Sequence, residues 1–314
     1  MRDDVAAVDG FLDWTQDPFS ELAETPQDGP QSGPMFTYST PEQPFWRRTL
    51  IRAVERLSGR AGFERLYAEW RAGPRDGGET VFTSAIAALE VEPVVPETEM
   101  ARIPAEGPLL VVANHPYGII DGLLIGHLIS TRRSDVKLIC HSLLCQPREA
   151  RDVLLPIDFG AGPEARRTSA ETRKRAQTWL DQGHALIIFP GGGVATSRRP
   201  LRGPAVDLAW HPFVARLAKR AGVKTLAIFV HGQNSRLFQV VSHLSYPLRV
   251  ALIFFETRRR MAGPVNVSIA EPVELAAVGK ADMMAVLRAR TYAMAGAGGP
   301  VGVEEFAFPK FIRF

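Results

Sequence analysis

Along the chain, short runs of consecutive apolar residues alternate with longer segments in which apolar residues return every three or four positions. The runs Leu109–Ala113, Val136–Ile139, Ala185–Phe189, Leu226–Val230, Val250–Phe254 and Val265–Ile269 predict strands buried on both faces. The segments Gly122–Ser130, Glu164–Leu180, Pro212–Ala221 and Ala281–Ala293 predict helices; Gly183 sits where a helix C-cap belongs, and Pro212 suits a first helical position. Strands that alternate with helices in this way predict an α/β domain over residues 79–314. Its central sheet is expected to be mostly parallel or mixed, with helices on its faces.

Two shorter amphipathic segments precede that domain, in residues 45–78. In "FWRRTLIRAVERL" the residues Leu50, Ile51, Val54 and Leu57 share one helical face, and Arg47, Arg48, Arg52 and Arg56 lie largely off it. In the next segment Phe63, Leu66, Tyr67 and Trp70 recur at i, i+3, i+4 and i+7. A basic helix with aromatics suits a membrane interface, and the same apolar face suits packing on the main domain. The two readings stand level for the first helix, and packing is the preferred one for the second. The aromatic C-terminal stretch "EFAFPKFIRF" carries the same two readings.

Charge divides the chain. Residues 1–44 hold nine acidic residues and one arginine; with 37 basic and 34 acidic residues in all, the rest has 36 against 25, a net of +11. The acidic stretch is rich in Pro, Gly, Ser and Gln and reads as a disordered tail. The basic body suits an anionic membrane surface, an acidic carrier protein or nucleic acid, and equally a merely solvated surface. Nucleic acid has only the charge in its favour. The two cysteines, Cys140 and Cys145, make no disulfide framework, and with His141 they form no zinc-type ligand set, so no metal is expected. The first residues lack the basic and apolar regions of a signal peptide, and no apolar run reaches membrane-spanning length. A cytoplasmic protein, peripheral on the inner face of the membrane, is the expected setting.

Candidate chemistry lies in "LLVVANHPYGIIDGLLIG", Leu109 to Gly126. A strand opens onto a turn at its carboxyl end, where sites gather in α/β sheets, and an apolar helix follows. Taken singly, Asp121 reads as a helix cap and His115 as a loop histidine. Together they put an imidazole and a carboxylate on either side of one tight turn, and a carboxylate on one ring nitrogen raises the basicity of the other. His115 thereby becomes a candidate general base for a hydroxyl. After another strand comes "IIFPGGGVATSRR": Pro190, Gly191, Gly192 and Gly193 allow close backbone approach to an anion, and Thr196, Ser197, Arg198 and Arg199 add hydroxyls and charge. The other reading is an ordinary turn and a solvated loop. No nucleotide P-loop spacing follows, and no G-x-S-x-G elbow of a serine hydrolase occurs.

Asn114-His115, Asp121 and "IIFPGGG" resemble the 1-acylglycerol-3-phosphate (lysophospholipid) acyltransferase family, over roughly residues 80–275. "NHPYGIIDG" is closest to its bacterial hemolysin-like and ornithine-lipid-type subgroup. The resemblance implies that His115 is the general base on an acceptor hydroxyl that attacks an acyl thioester, and that Asp121 orients it. It implies acyl-ACP or acyl-CoA as co-substrate, with no other cofactor, and a lysolipid acceptor such as lysophosphatidate. Asn114, the glycine block, Thr196, Ser197, Arg198, Asn234 and Arg236 become candidate substrate-binding residues. Where the family carries Glu and Arg after Phe-Pro, this chain has Gly191 and Val194, which makes a lyso-ornithine-type acceptor the alternative. A lipid-binding protein that keeps the fold without catalysis is the reading from another class.

Overall fold

The computed structural model describes residues 37, 39, 44–73, 79–145, 147–158, 162–279, 283–297, 299–300, 304–309 and 312. The expected acidic tail therefore lies almost wholly outside the described residues. The chain begins with α1 (Phe45–Leu57), α2 (Arg60–Ala72) and α3 (Val81–Ala88), followed by β1 (Glu92–Val94) and α4 (Glu97–Met100). Next come β2 (Leu109–Ala113), α5 (Ile119–Ser130), β3 (Val136–His141), β4 (Leu154–Ile157), α6 (Pro163–Asp181) and β5 (Ala185–Ile188). A hairpin of β6 (Thr196–Arg199) and β7 (Arg202–Val206) leads to α7 (Phe213–Ala218) and β8 (Lys224–Val230). The remainder is α8 (Arg236–Ser242), α9 (Tyr246–Ala251), α10 (Ile253–Arg260), β9 (Pro264–Ile269), β10 (Val273–Glu274) and α11 (Met283–Tyr292).

The main sheet runs β1-β9-β8-β2-β5-β3-β4, with β10 also paired to β8. The five strands from β8 to β4 are mutually parallel, while β9 and β10 run antiparallel to β8. The α/β architecture with a mixed sheet is thus present as the alternation predicted. All five residues of β2 are buried because both faces are covered. Leu109, Val111 and Ala113 join a cluster with α3 and α5, whereas Leu110 and Val112 join another with α6, α7 and α11. At about 1.5–3 kcal/mol per fully buried aliphatic side chain, this doubly covered strand is a rigid base for whatever follows its end.

The predicted strand Val250–Phe254 is instead helical, shared between α9 and α10. Ser245 starts α9 by accepting the Leu248 N–H, and Pro247 falls in its first turn. A short apolar run carries no period of its own, so burial between helices gives it the same pattern as a buried strand.

The first helix separates what its sequence face joined. Ile51 and Val54 turn inward, but Leu57 is 85 % exposed, and Leu50 and Trp46 (68 %) also face solvent. In α2, Phe63 and Leu66 pack on the core and the Tyr67 hydroxyl donates to Glu149 at 2.7 Å, so this helix docks as preferred. Of the C-terminal stretch, Phe306 and Ile312 are buried, and the Phe306 N–H bonds to Asp207 O. Residues 310, 311, 313 and 314 lie outside the described residues.

Candidate functional site

The site starts at the carboxyl end of β2. Asn114 continues the pairing of β2 with β8 through its side chain: Nδ2 donates to Val230 O at 2.9 Å and Oδ1 accepts from Val230 N at 2.7 Å. The structure places this expected substrate-binding residue beneath the turn, its buried carboxamide joining two strand ends. The main chain of His115 is held on both sides. Its N–H donates to Asp207 Oδ1 at 3.1 Å, and its carbonyl accepts from Ala195 N at 2.7 Å.

The His115 ring lies against Phe189, with centroids 4.1 Å apart and planes 21° from parallel. Its Nδ1 is 2.9 Å from Asp121 Oδ2. That oxygen also accepts the N–H groups of Tyr117 (2.8 Å) and Gly118 (2.9 Å), so Asp121 caps α5 and grips the histidine at once. The two readings of Asp121 are one arrangement. An oxygen that already accepts two N–H groups takes a third from Nδ1–H, which leaves Nε2 as the basic nitrogen. Gly118 makes the turn possible with φ +88°, where an added Cβ would also press on Val194 Cγ2 at 3.3 Å. The Asp121 carboxylate is fully buried and the His115 side chain 17 % exposed, so the imidazole meets the surface at one edge.

Beside this pair stands the glycine block that follows β5. The Gly192 N–H is committed to Phe189 O at 3.0 Å, which removes it as an oxyanion donor and leaves the N–H groups of Gly191 and Gly193. A Cβ at Gly191 would meet Asp207 Cβ at 3.1 Å, so the turn lies tightly against the Asp207 segment.

Residues 70–258 match the model of a protein family described as Acyltransferase. The chain belongs to the acyltransferase family. The lyso-glycine lipid O-acyltransferase of Bacteroides thetaiotaomicron is 25 % identical over 158 residues, covering 49 % of this chain and 55 % of that protein. The match thus spans about half the length of the curated relative. The crystal structure of the 1-acyl-sn-glycerophosphate acyltransferase PlsC from Thermotoga maritima is similar with a TM-score of 0.38 and 16 % identity, covering 77 % of this chain and 76 % of that one.

In this acyltransferase-family chain, several expected ligand-binding residues bond to other parts of the protein. Thr196 and Ser197 are fully buried in the hairpin. The Thr196 hydroxyl accepts from the buried Arg249, which also donates to Val194 O; Ser197 N bonds to Gln239 Oε1 at 2.8 Å. Both hydroxyls are engaged inside the protein, that of Ser197 donating to Gly203 O at 3.3 Å. Burial lowers the Arg249 guanidinium to about 10. Arg236 donates to Ser197 Oγ (3.3 Å) and Gly203 O (3.0 Å), which fastens α8 to the hairpin, and Arg198 is an exposed partner of Glu304 at 3.3 Å. His231 is tied to Ser268 Oγ at 2.9 Å. Asn234 is different, being buried among pocket-lining residues with neither amide atom bonded.

Sequence reasoning missed Asp207. This fully buried carboxylate receives the His115 N–H and, at 2.9 Å, Trp210 Nε1–H. Burial pushes its carboxyl up, and the Trp210 and His115 donors and nearby Arg288 pull it down. "AVDLAW" gave no signal beyond an acid in an apolar setting. The thiols Cys140 and Cys145 lie with Sγ atoms 3.5 Å apart, and no cluster of three or more metal-ligating side chains occurs among the described residues.

His211 supports the glycine turn through its N–H to Pro190 O (2.9 Å), while its ring Nδ1 accepts Phe213 N–H (3.1 Å). Burial, with Arg216 and Arg173 nearby, lowers the imidazole from 6.5 to about 4. A folded-state value below the unfolded one contributes stability that is full above pH 6.5 and is lost as pH falls toward 4. The thermal midpoint is therefore expected to drop across that window, less steeply in His211→Asn. Equal slopes would assign the acid lability to other groups.

Proposed function

We propose that the chain transfers a fatty acyl group from acyl-ACP or acyl-CoA to the hydroxyl of a lysolipid at a membrane surface. The observation that carries this reading is the His115–Asp121 pair, with Nδ1 held at 2.9 Å by a buried carboxylate that also accepts two main-chain N–H groups. Nε2 takes the hydroxyl proton as that oxygen attacks the thioester carbonyl. The developing imidazolium is steadied by Asp121. As the tetrahedral adduct collapses, the C–S bond breaks, an ester remains, and the proton passes from Nε2 to the departing thiolate. The N–H groups of Gly191 and Gly193 are the candidate donors to the oxyanion. No covalent acyl-enzyme is required.

The exposed side of α1 supplies the membrane contact. Trp46, Leu50, Ala53 and Leu57 are spaced to form one outward stripe, and Arg52 and Arg56 flank it. An apolar stripe beside cations suits an anionic bilayer surface, each cation adding about 1 kcal/mol. No helix among the described residues is long and apolar enough to cross a membrane.

For the acceptor, lysophosphatidate or another lysophospholipid is the general reading. A lyso-aminolipid is favoured by two observations: the glycine block lacks the family's Glu and Arg, and the curated relative is named for a lyso-glycine lipid. The test offers acyl-ACP and acyl-CoA in turn to anionic vesicles carrying each lysolipid. A diacylated product is expected, with at least tenfold weaker vesicle binding and slower turnover in the double variant Arg52→Glu, Arg56→Glu. No product from any pair sinks the reading, and unchanged vesicle binding removes α1 as the membrane contact.

A further inference from the structure

The two thiols of this 314-residue chain meet each other, Cys140 Sγ lying 3.5 Å from Cys145 Sγ. Cys140 stands in β3 opposite Pro156 of β4, and Cys145 closes the helical turn Ser142–Cys145 that follows the strand. Both are half-buried against the core cluster that β2 shares with α5, on which Phe189 also packs. Because β3 is parallel to β5, the pair sits at the same end of the sheet as the glycine turn, one strand farther out.

Each thiol taken singly reads as a small apolar core residue. The pair carries more, because its members are unlike. Cys140 donates its S–H to Cys145, and with burial this holds the Cys140 thiol well above the ordinary range. The same hydrogen bond lowers Cys145; burial opposes it, and the nearby Arg175 guanidinium adds to it. A thiolate therefore forms first on Cys145, with a protonated neighbour in contact with the same sulfur. Freedom of movement is divided in the same way: Cys140 is fixed in a strand paired to β4, whereas Cys145 ends a single short turn. A disulfide holds its sulfurs about 2.0 Å apart, so closure takes about 1.5 Å, which a small shift of that turn supplies.

We propose that Cys140 and Cys145 form a modification site, closed to an intramolecular disulfide by a hydroperoxide and reopened by a dithiol. The Cys145 thiolate attacks the outer oxygen of the hydroperoxide; an S–O bond forms, the O–O bond breaks, and the alkoxide leaves and takes up a proton. Cys145 is then a sulfenic acid. The Cys140 sulfur attacks Cys145 Sγ, the S–S bond forms, the S–O bond breaks, and hydroxide departs with the Cys140 proton as water. The two thiols together give up two electrons, and one hydroperoxide is reduced to an alcohol and water. The site is independent of the acyl-transfer reading, since its chemistry is read in the resting chain without lipid or thioester.

The test treats the reduced full chain with a small excess of cumene hydroperoxide and then alkylates it in denaturant. Both thiols are expected to be lost together, with a mass lower by two hydrogens, a peptide linking Cys140 to Cys145, and full recovery in dithiothreitol. In Cys140→Ser the reaction is expected to stop at a Cys145 sulfenic acid that dimedone captures. In Cys145→Ser, Cys140 is expected to be consumed roughly tenfold more slowly than Cys145 is in Cys140→Ser. Thiols that survive while free N-acetylcysteine is consumed overturn the proposal, as do disulfide-linked dimers in place of the internal bond, or two separate sulfinic acids. Equal rates in the two single variants overturn the assignment of Cys145 as the attacking thiol. Should either variant not fold, the mass and linkage found in the unaltered chain decide by themselves.

Discussion

Alanine in place of His115 is expected to lower acyl transfer by about 10³-fold while leaving the fold in place, a positioned general base contributing about 10²–10⁴-fold. Loss of rate follows from what the ring alone provides, since Nε2 is the nitrogen left basic once Asp121 holds Nδ1. Retention of the fold follows from the main chain. The N–H of residue 115 still reaches Asp207 and its carbonyl still accepts from Ala195, whatever the side chain. Asp121 also keeps the N–H groups of Tyr117 and Gly118, so α5 remains capped. Single-turnover rates beside a thermal melt make the check. Retained transfer would end the general-base assignment, and a collapsed melt would mean that the ring is a packing element.

Removing the Asp207 carboxylate is expected to do the opposite, with stability lost first and activity with it. Asp207→Ala leaves the His115 N–H and Trp210 Nε1–H as donors without an acceptor in a site of no solvent exposure. Each stranded buried donor costs about 1–3 kcal/mol, so a loss of about 3–5 kcal/mol is expected in denaturant unfolding. Asp207→Asn keeps an acceptor oxygen and should cost about 1–2 kcal/mol, since a hydrogen bond to a charged group is weakened without being abolished. A loss below about 1 kcal/mol for the alanine variant would show that the turn is anchored elsewhere. Transfer measured well below the melting temperature should still fall, because the backbone of His115 would no longer be fixed over the glycine turn.

What could be read from residues alone was local. His115 and Asp121 are six positions apart, so one turn and the first residues of a helix bring them together whatever the rest of the chain does. Strands β2 and β5, and β8 from Leu226 onward, were legible because a strand covered on both faces is apolar at every covered position. The same rule misread Val250–Phe254, since helices can bury a short run as completely as a sheet can. It also could not tell which side of α1 would be covered. Ile51 and Leu57 look alike in sequence, and only the packing of α1 on α9 decided that one is buried and the other exposed.

Long-range partners were the province of the tertiary structure. Asp207 reaches His115 across 92 positions and Asn114 reaches Val230 across 116, because the order of strands sets β8 beside β2 and brings the β7 end over the turn. Thr196, Ser197 and Asn234 illustrate the consequence. The polar side chains look equally available in the sequence, yet burial tied the first two into the hairpin and left the carboxamide of the third without a partner in a pocket. The sequence determined the dyad, because its geometry is that of one turn. The fold decided which other polar groups are free to meet a ligand, because that depends on what is packed against each of them.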